Sequence, residues 1–501
     1  MSSSSSSRRY IPHTDGPPPG TEHLTESKDT ISTALNITVP RVIQANREKP
    51  PPSAGVYIGV AGIAHMTYDL SSLAANILPS GLVPKSLAAD GDQFLLSALQ
   101  TVLQKPKSPS PSRCAFLETD VGIATLVLLR VLDTKGESPF LAHWETCAGM
   151  LRGAVGRAGD VREYEDGACE VLYARAGLLY SLLRIRHLLA YHPAAEEQKK
   201  GTTSTAGVGV GAEDPRTGVV RALKGLTGDE PVGSVVRAVV EIGRLEATVY
   251  RRQLEGAGVN IGAPPLMWSW HGTRYLGAAH GVAGILHVLW NCPKNVLDPY
   301  VGDLAGTLEW LLDCQDSSGN WPSKAPDGVR DPLVTSDLVQ WCHGATGIVI
   351  FLCTALRRDL DGISLTHELR RRLVAAVYEG ARLIHRQGLL RKGVGICHGV
   401  AGSVYALLAA SRVLDDNHST GGGAGGGEKE EGGKMDYLMR AVHLAHLATE
   451  YEELMRAGEM KVPDRPWSLY EGAAGMCEAW AEVLCRLEGG RVKGVPGFDD
   501  I

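Results

Sequence analysis

One pattern recurs seven times along this chain and limits what it can fold into: a turn of small residues that opens an apolar helix. The copies are GVAGIAHMTYDL (59–70), TDVGIATLVLL (119–129), ARAGLLYSLL (174–183), HGVAGILHVLW (280–290), HGATGIVIFL (343–352), HGVAGSVYALL (398–408) and EGAAGMCEAWAEVL (471–484). One small-x-x-small turn means little, because such turns begin many helices. Seven in register mark a repeat architecture, a closed or stacked array of equivalent units.

Between consecutive turns lies a second helical stretch of another kind, such as LAHWETCAGMLRGAV or HELRRRLVAAVYEGARLI, and DTISTALNITVPRVIQANR precedes the first turn. These stretches carry charge on one face and apolar residues at i, i+3, i+4 spacing on the other. The helices after the turns are apolar nearly all round, as a helix buried on every side must be. They are therefore expected in an inner ring, with the charged helices outside and the seven turns at one rim. Alternating β-branched runs are almost absent, so the class expected is all-α.

The 501 residues, 44% apolar with a net charge of −6, suffice for one large core, and scattered aromatics with near-neutral charge argue against a nucleic-acid-binding face. The ten cysteines are widely spaced, several within apolar helical runs, which suits a reduced compartment better than a disulfide framework. The polar start lacks a signal-peptide core, and no apolar run is long enough to span a bilayer. The expected location is cytoplasmic, with nuclear residence or peripheral contact with the plasma membrane left open. Residues 1–28 are expected to be a disordered Ser/Pro-rich tail, although RRYIPH within it is apt to lie on the folded body. Residues 29–490 form one domain, 491–501 a C-terminal tail, and the Gly-rich segments 201–214 and 420–434 disordered inserts.

Three turns carry more than small residues: AAHG (278–281), WCHG (341–344) and ICHG (396–399). If equivalent repeats share a rim, His280, Cys342, His343, Cys397 and His398 meet in space despite their separation in sequence. A single Cys-His pair is more often buried structure than a metal site, but two at one phase of a repeat reverse that weighting. Two thiols and an imidazole suit zinc and leave a tetrahedral ion one open position, as catalytic sites do. His65, His271 and His287 fall outside this phase and are taken as structural or surface residues. Most tryptophans near the turns (268, 270, 321, 341, 467) are taken as packing.

The runs HGTRYLGAAHGVAGIL, WCHGATG, RKGVGICHGVAG and SLYEGAAG resemble the LanC and LanC-like family over roughly residues 30–490. The resemblance implies an (α/α)7 toroid of helical hairpins with one Zn2+ per chain on Cys342, Cys397 and His398, and an active-site histidine at His280. Bacterial members close thioether rings by adding a cysteine thiol to dehydroalanine or dehydrobutyrine. Eukaryotic members bind glutathione and are implicated in adding it to dehydroamino acids in damaged proteins. WCHG in place of the bacterial WCYG sets this chain on the eukaryotic side, with His343 where the bacterial cyclases have Tyr. Lys392 matches a lysine that eukaryotic members use for glutathione. Glu170 aligns with an Asp of the bacterial enzymes, Ala174 replaces a Gly, and Leu338, beside Asp337, stands where they have Arg. These departures argue against peptide cyclisation.

A thiol-addition enzyme needs an ionised thiol and an acid to protonate the α-carbon as the enolate collapses. His280 is the candidate acid, with His343 second. Cations at the rim would hold the two carboxylates of glutathione: Lys392 first, then Arg465, with Arg8 or Arg9 as weaker candidates. Tyr275, Glu471 and Glu170 are candidate ligand-orienting residues. Three function classes follow: a zinc-dependent glutathione transferase acting on dehydroamino-acid-containing peptides or proteins; a non-catalytic zinc- and glutathione-binding sensor or scaffold, with peripheral membrane contact left open; and a glycosidase-like toroid. The third lacks facing carboxylates, since Asp120, Glu170 and Glu471 are the only acids at the turns. His280 and Lys392 favour the first over the second.

Overall fold

The computed structural model describes residues 8–14, 21–134, 138–191, 215–258, 262–326, 336–358, 365–415 and 436–501. The inserts 201–214 and 420–434 lie outside them. Among the described residues the only regular elements are helices, and the only β pairings are isolated bridges.

Seven inner helices follow the seven turns: α2 (Val60–Ser71), α4 (Asp120–Asp133), α6 (Arg175–Ala190), α9 (Val282–Trp290), α11 (Ala345–Arg357), α13 (Val400–Leu414) and α15 (Ala473–Leu487). The outer helices are α1 (Thr21–Glu48), α3 (Pro84–Gln104), α5 (Trp144–Ala158), the pair α7 (Pro215–Leu226) and α8 (Asp229–Gly256), α10 (Val301–Asp313), α12 (His367–Gln387) and α14 (Asp436–Leu447). Each inner helix packs on the next, and α15 returns to α2, so the array is a closed toroid. An outer helix lies against the inner helix that precedes it in sequence, and α1 takes that position on α15. The first helix of the chain thus closes the ring. Every residue of α9 is buried, and so is every residue of α11 up to Leu356, as their uniform apolarity requires.

One close approach explains the turn glycines. In all seven repeats the second small position (Gly62, Gly122, Gly177, Gly284, Gly347, Gly402, Gly475) lies against the carbonyl of the residue six places earlier. A Cβ there would fall between 1.7 Å, at Gly122, and 2.3 Å, at Gly177 and Gly402, from that oxygen. No side chain fits, so each turn folds back tightly on its own helix start. The first small position is less strict. Ala174 is extended (φ −120°), where any residue is tolerated.

Backbone hydrogen bonds link turn to turn around the rim: Tyr57 N to Leu117 O, Cys114 N to Tyr173 O, Val171 N to Ala279 O, Cys342 N to Cys397 O, Cys397 N to Tyr470 O, and Tyr470 N back to Tyr57 O. Between the fourth and fifth turns, Gly277 lies against the Cys342 carbonyl.

Two terminal segments differ from their sequence reading. The helix begins at Thr21, inside the stretch taken as tail, and residues 9–11 pair antiparallel with 389–391 (Ile11 N to Leu389 O, 2.8 Å; Arg391 N to Arg9 O, 3.0 Å). Residues 491–501, set apart as a C-terminal tail, instead enter the core of the ring. Phe498 is fully buried, stacked on His287 at 4.1 Å and edge-on to Trp341 at 5.3 Å. Asp500 accepts from Tyr180 Oη (2.8 Å), and Asp499 from Thr354 Oγ1 (3.0 Å). Their Gly, Pro and Asp composition reads as loop, yet the segment packs among α6, α9 and α11 through Tyr180, His287 and Thr354.

Candidate functional site

The fifth and sixth turns form the centre of the site. The WCHG turn depends on Gly344, which has φ +93° and whose Cβ would meet Leu338 O at 1.8 Å. Asn320, 1% exposed, staples this turn: its Oδ1 accepts from Ala345 N (2.8 Å), and its Nδ2 donates to Ser336 O (2.6 Å) and Leu338 O (3.1 Å). The Cys342 N to Cys397 O bond then sets the two cysteines side by side. One ligand atom from each of Cys342, Cys397 and His398 lies within 4.8 Å of the others, with both thiols buried and the imidazole half-buried. A hydrogen bond with Cys342 and then burial push the Cys397 thiol well above its ordinary pKa, against the pull of His398. Two buried thiols in contact resist ionising unless a cation joins them, and two sulfurs with one imidazole match the donors zinc prefers.

Tyr57 of the first turn lies against Cys397 in this cluster, although its sequence context, GVYIGVAG, carries no sign of it. Its ring stacks on Tyr470 at 4.6 Å. Burial, then Cys397 and Cys342, hold its hydroxyl far above the usual phenol range.

His280 stands on the fourth turn. Its Nδ1 donates to Glu170 Oε2 at 2.7 Å. The buried Glu170 also accepts from the backbone N–H groups of Leu172 (2.8 Å) and Tyr173 (2.5 Å) at the third turn. One carboxylate therefore ties two repeats together and fixes the imidazole. Trp270 lies parallel to that imidazole at 3.7 Å and 6°, with Tyr173 stacked at 6.2 Å. The loop carrying Trp270 is held by Asp166, which accepts from Ser269 Oγ (3.0 Å) and Gly272 N (3.1 Å), and it includes His271 at φ +49°. Trp270 is therefore a wall of the site, whereas Trp268, Trp321 and Trp341 are buried packing residues.

His343 bridges the two halves. Its ring is 5.2 Å from Tyr275, and burial, then the charges of His280 and Lys392, push its pKa down to about 4. Lys392 and Arg465 are exposed, and Glu471 is half-buried on the last turn. Arg9 is engaged with Asp337 (2.8 Å), and Arg8 is exposed. Glu118, not singled out in the sequence, is raised to about 7 by burial and by Glu471, against the pull of Arg113. A cavity of about 410 Å³ lined by Lys107, Arg113, Glu118, Asp120 and Met150 opens beside the second turn, and Arg113 covers the Tyr173 ring at 4.5 Å.

None of the three histidines set aside in the sequence belongs to the donor set or to the His280–Glu170 pair. His271 is exposed on the Trp270 loop. His287 is fully buried, faces Phe498 O at 3.1 Å, and has a pKa pushed down to about 4 by burial. His65 sits among Asp69, Glu478 and Asp500. Burial opposes its charge, yet these carboxylates outweigh that and hold its pKa well above the usual value.

Among curated proteins, LanC-like protein GCL1 of Arabidopsis thaliana is 31% identical over 267 residues, 53% of this chain and 51% of that protein. Glutathione S-transferase LANCL1 of Danio rerio is 31% identical over 222 residues, 44% of this chain and 45% of that one. The alignments thus span about half the length of these relatives. Nisin cyclase matches in fold, with a TM-score of 0.54 over 89% of this chain and 93% of that chain at 13% identity. The family model described as lanthionine synthetase C-like protein matches residues 219–488, which hold the fourth to seventh turns and more than half of the chain, and so the chain belongs to the LanC-like family.

Proposed function

We propose that this protein is a zinc-dependent transferase that adds the thiol of glutathione to dehydroalanine or dehydrobutyrine residues of peptides or proteins. The observation that carries this reading is the adjacency, on one rim, of the Cys342–Cys397–His398 donor set and an imidazole held by a buried carboxylate, His280–Glu170, with Gly277 of the His280 turn against the Cys342 carbonyl. A relative named glutathione S-transferase supports the choice of thiol.

Cys342, Cys397 and His398 would hold a zinc ion, which would supply positive charge favouring the thiolate form of a thiol near neutral pH. The reaction balances without a further reagent. The S–H proton leaves, sulfur bonds to the β-carbon, the C=C π pair moves toward the carbonyl oxygen, and a proton is delivered to the α-carbon. His280 is the residue proposed to make that delivery. Glu170 opposite Nδ1 fixes the ring and leaves Nε2 for the substrate. Trp270 covers one imidazole face and excludes water from it. Lys392, with Arg465, provides exposed positive charge for the glutathione carboxylates. Tyr275 lies beside both His280 and His343, and Glu471 is on the seventh turn; the role proposed for both is to orient ligands.

Incubation with glutathione and a dehydroalanine-containing peptide, followed by mass spectrometry, tests the reading. The expected product is a single glutathione adduct formed faster than the uncatalysed background. Full zinc occupancy and glutathione binding without any adduct across several peptides would instead identify a sensor or scaffold.

A further inference from the structure

A second cluster of potential ligands lies on the outside of the toroid, remote in character from the thiol site. His385 lies in the last turn of α12, His443 lies within α14, and His13 belongs to the N-terminal segment paired with residues 389–391. One ring nitrogen from each lies within 4.8 Å of the others; His385 and His443 are buried and His13 is half-buried. The ring centroids are 5.2 to 5.4 Å apart. His385 Nε2 and His443 Nδ1 are 3.1 Å apart, close to the separation of about 3.3 Å that two nitrogens take on one tetrahedral ion with bonds of about 2.0–2.1 Å.

We propose that His13, His385 and His443 form a second divalent-metal site, suited to zinc or a neighbouring late first-row cation, that pins residues 8–14 to the outer helices α12 and α14. Three imidazoles are a borderline-soft donor set that leaves a fourth position for water on the half-buried His13 side. The remaining polar contacts are few. His13 faces the carbonyl oxygens of Thr14 and His385, both at 2.9 Å, and Arg440, tied to Asp436 at 2.8 Å, reaches His385 Nδ1 at 3.4 Å. Binding exchanges the His13–His385 carbonyl contact for coordination and moves the long Arg440 contact aside, a modest rearrangement.

The other non-thiol cluster, His65–Asp69–Glu478, behaves differently. There the imidazole is charged among carboxylates and Lys493 reaches Asp69 at 3.1 Å, so the group neutralises itself without a metal. The outer cluster has no acidic member among its three ligands. A metal there would order the segment that carries Arg9 to Asp337, five residues before Cys342, and so couple the N-terminal arm to the rim.

Metal analysis of the full chain after loading with Zn2+ or Co2+ and dialysis tests the site independently of the proposed function. Expected are two equivalents in the native protein, one in His13→Ala and in His443→Gln, one in Cys397→Ala, and none in the Cys397→Ala/His13→Ala double variant. The cobalt form of Cys397→Ala should lack thiolate charge-transfer absorption. Zinc should also slow amide exchange of residues 8–14 in the native protein and not in His13→Ala. Because His13 lies on an arm outside the ring, its substitution leaves the fold intact even if His443→Gln does not fold. A single equivalent in the native protein that is lost in Cys397→Ala and unaffected by His13→Ala would overturn the outer site while leaving the thiol site standing. One equivalent that survives Cys397→Ala and is lost in His13→Ala would support the outer site and count against the thiol one.

Discussion

Glu170 links a conformational requirement to a chemical one, because the same carboxylate caps the third turn and fixes His280 of the fourth. Glu170→Gln should therefore lower glutathione-adduct formation by roughly 10–100-fold, the range typical of partners that orient an active group, with zinc content unchanged. Full activity in the variant would remove the positioning role. Gly344 is a second such residue. An alanine there must adopt φ +93° and displace the Leu338 carbonyl, so Gly344→Ala should destabilise the protein by about 2–4 kcal/mol in urea unfolding and loosen the cysteine pair. The CHG pairs were visible in the sequence because cysteine and histidine stand out from a repeat of small residues. Tyr57, Asn320 and Glu118 were not. Tyr57 and Glu118 act across repeats, Tyr57 on thiols more than 280 residues away, and Asn320 on groups 16 to 25 residues ahead, and no local pattern encodes these adjacencies.

At the level of elements, the ring rests on seven equivalent turns whose backbones touch where a side chain would otherwise stand. Gly122 is the tightest of them and lies outside the thiol cluster. Gly122→Ala should cost about 2–4 kcal/mol of stability and leave the metal stoichiometry of the folded fraction unchanged. An unchanged unfolding midpoint would mean that the turns are looser than this packing implies. The periodicity of the turns and the all-round apolarity of the inner helices were enough to read an inner ring from the sequence. That α1 closes the ring on α15 was not readable, because its amphipathic face says only that it packs, and not on which helix.

Over the whole molecule, the ring is filled at its axis by residues 495–500, a stretch that reads as tail because its Gly, Pro and Asp content signals a loop. Phe498→Ala should destabilise the protein by about 3–5 kcal/mol, the usual range for removing a fully buried aromatic ring. The same core carries a pH signature. His287 stays neutral in the fold to about pH 4, whereas in the unfolded chain it takes up a proton near 6.5. The unfolded state therefore binds more protons between those values, and stability falls as pH drops from about 6.5 to about 4, by up to about 3 kcal/mol from this residue. Buried Glu478 and Glu482, raised to about 7 and about 8, work in the opposite direction, so the effect is isolated by comparing native protein with His287→Gln. The variant should lose less stability between pH 7 and pH 5, and equal losses would assign the acid sensitivity elsewhere.

The central claim is that the rim joins a thiol-activating donor set to a proton-delivering histidine. The most direct measurement is kcat/KM for adduct formation between glutathione and a dehydroalanine peptide, comparing native protein with His280→Ala at equal, measured zinc occupancy. The account predicts a loss of about 10²–10⁴-fold, as expected for removal of a general acid, with zinc and glutathione binding retained. An unchanged kcat/KM in the zinc-loaded variant would contradict it.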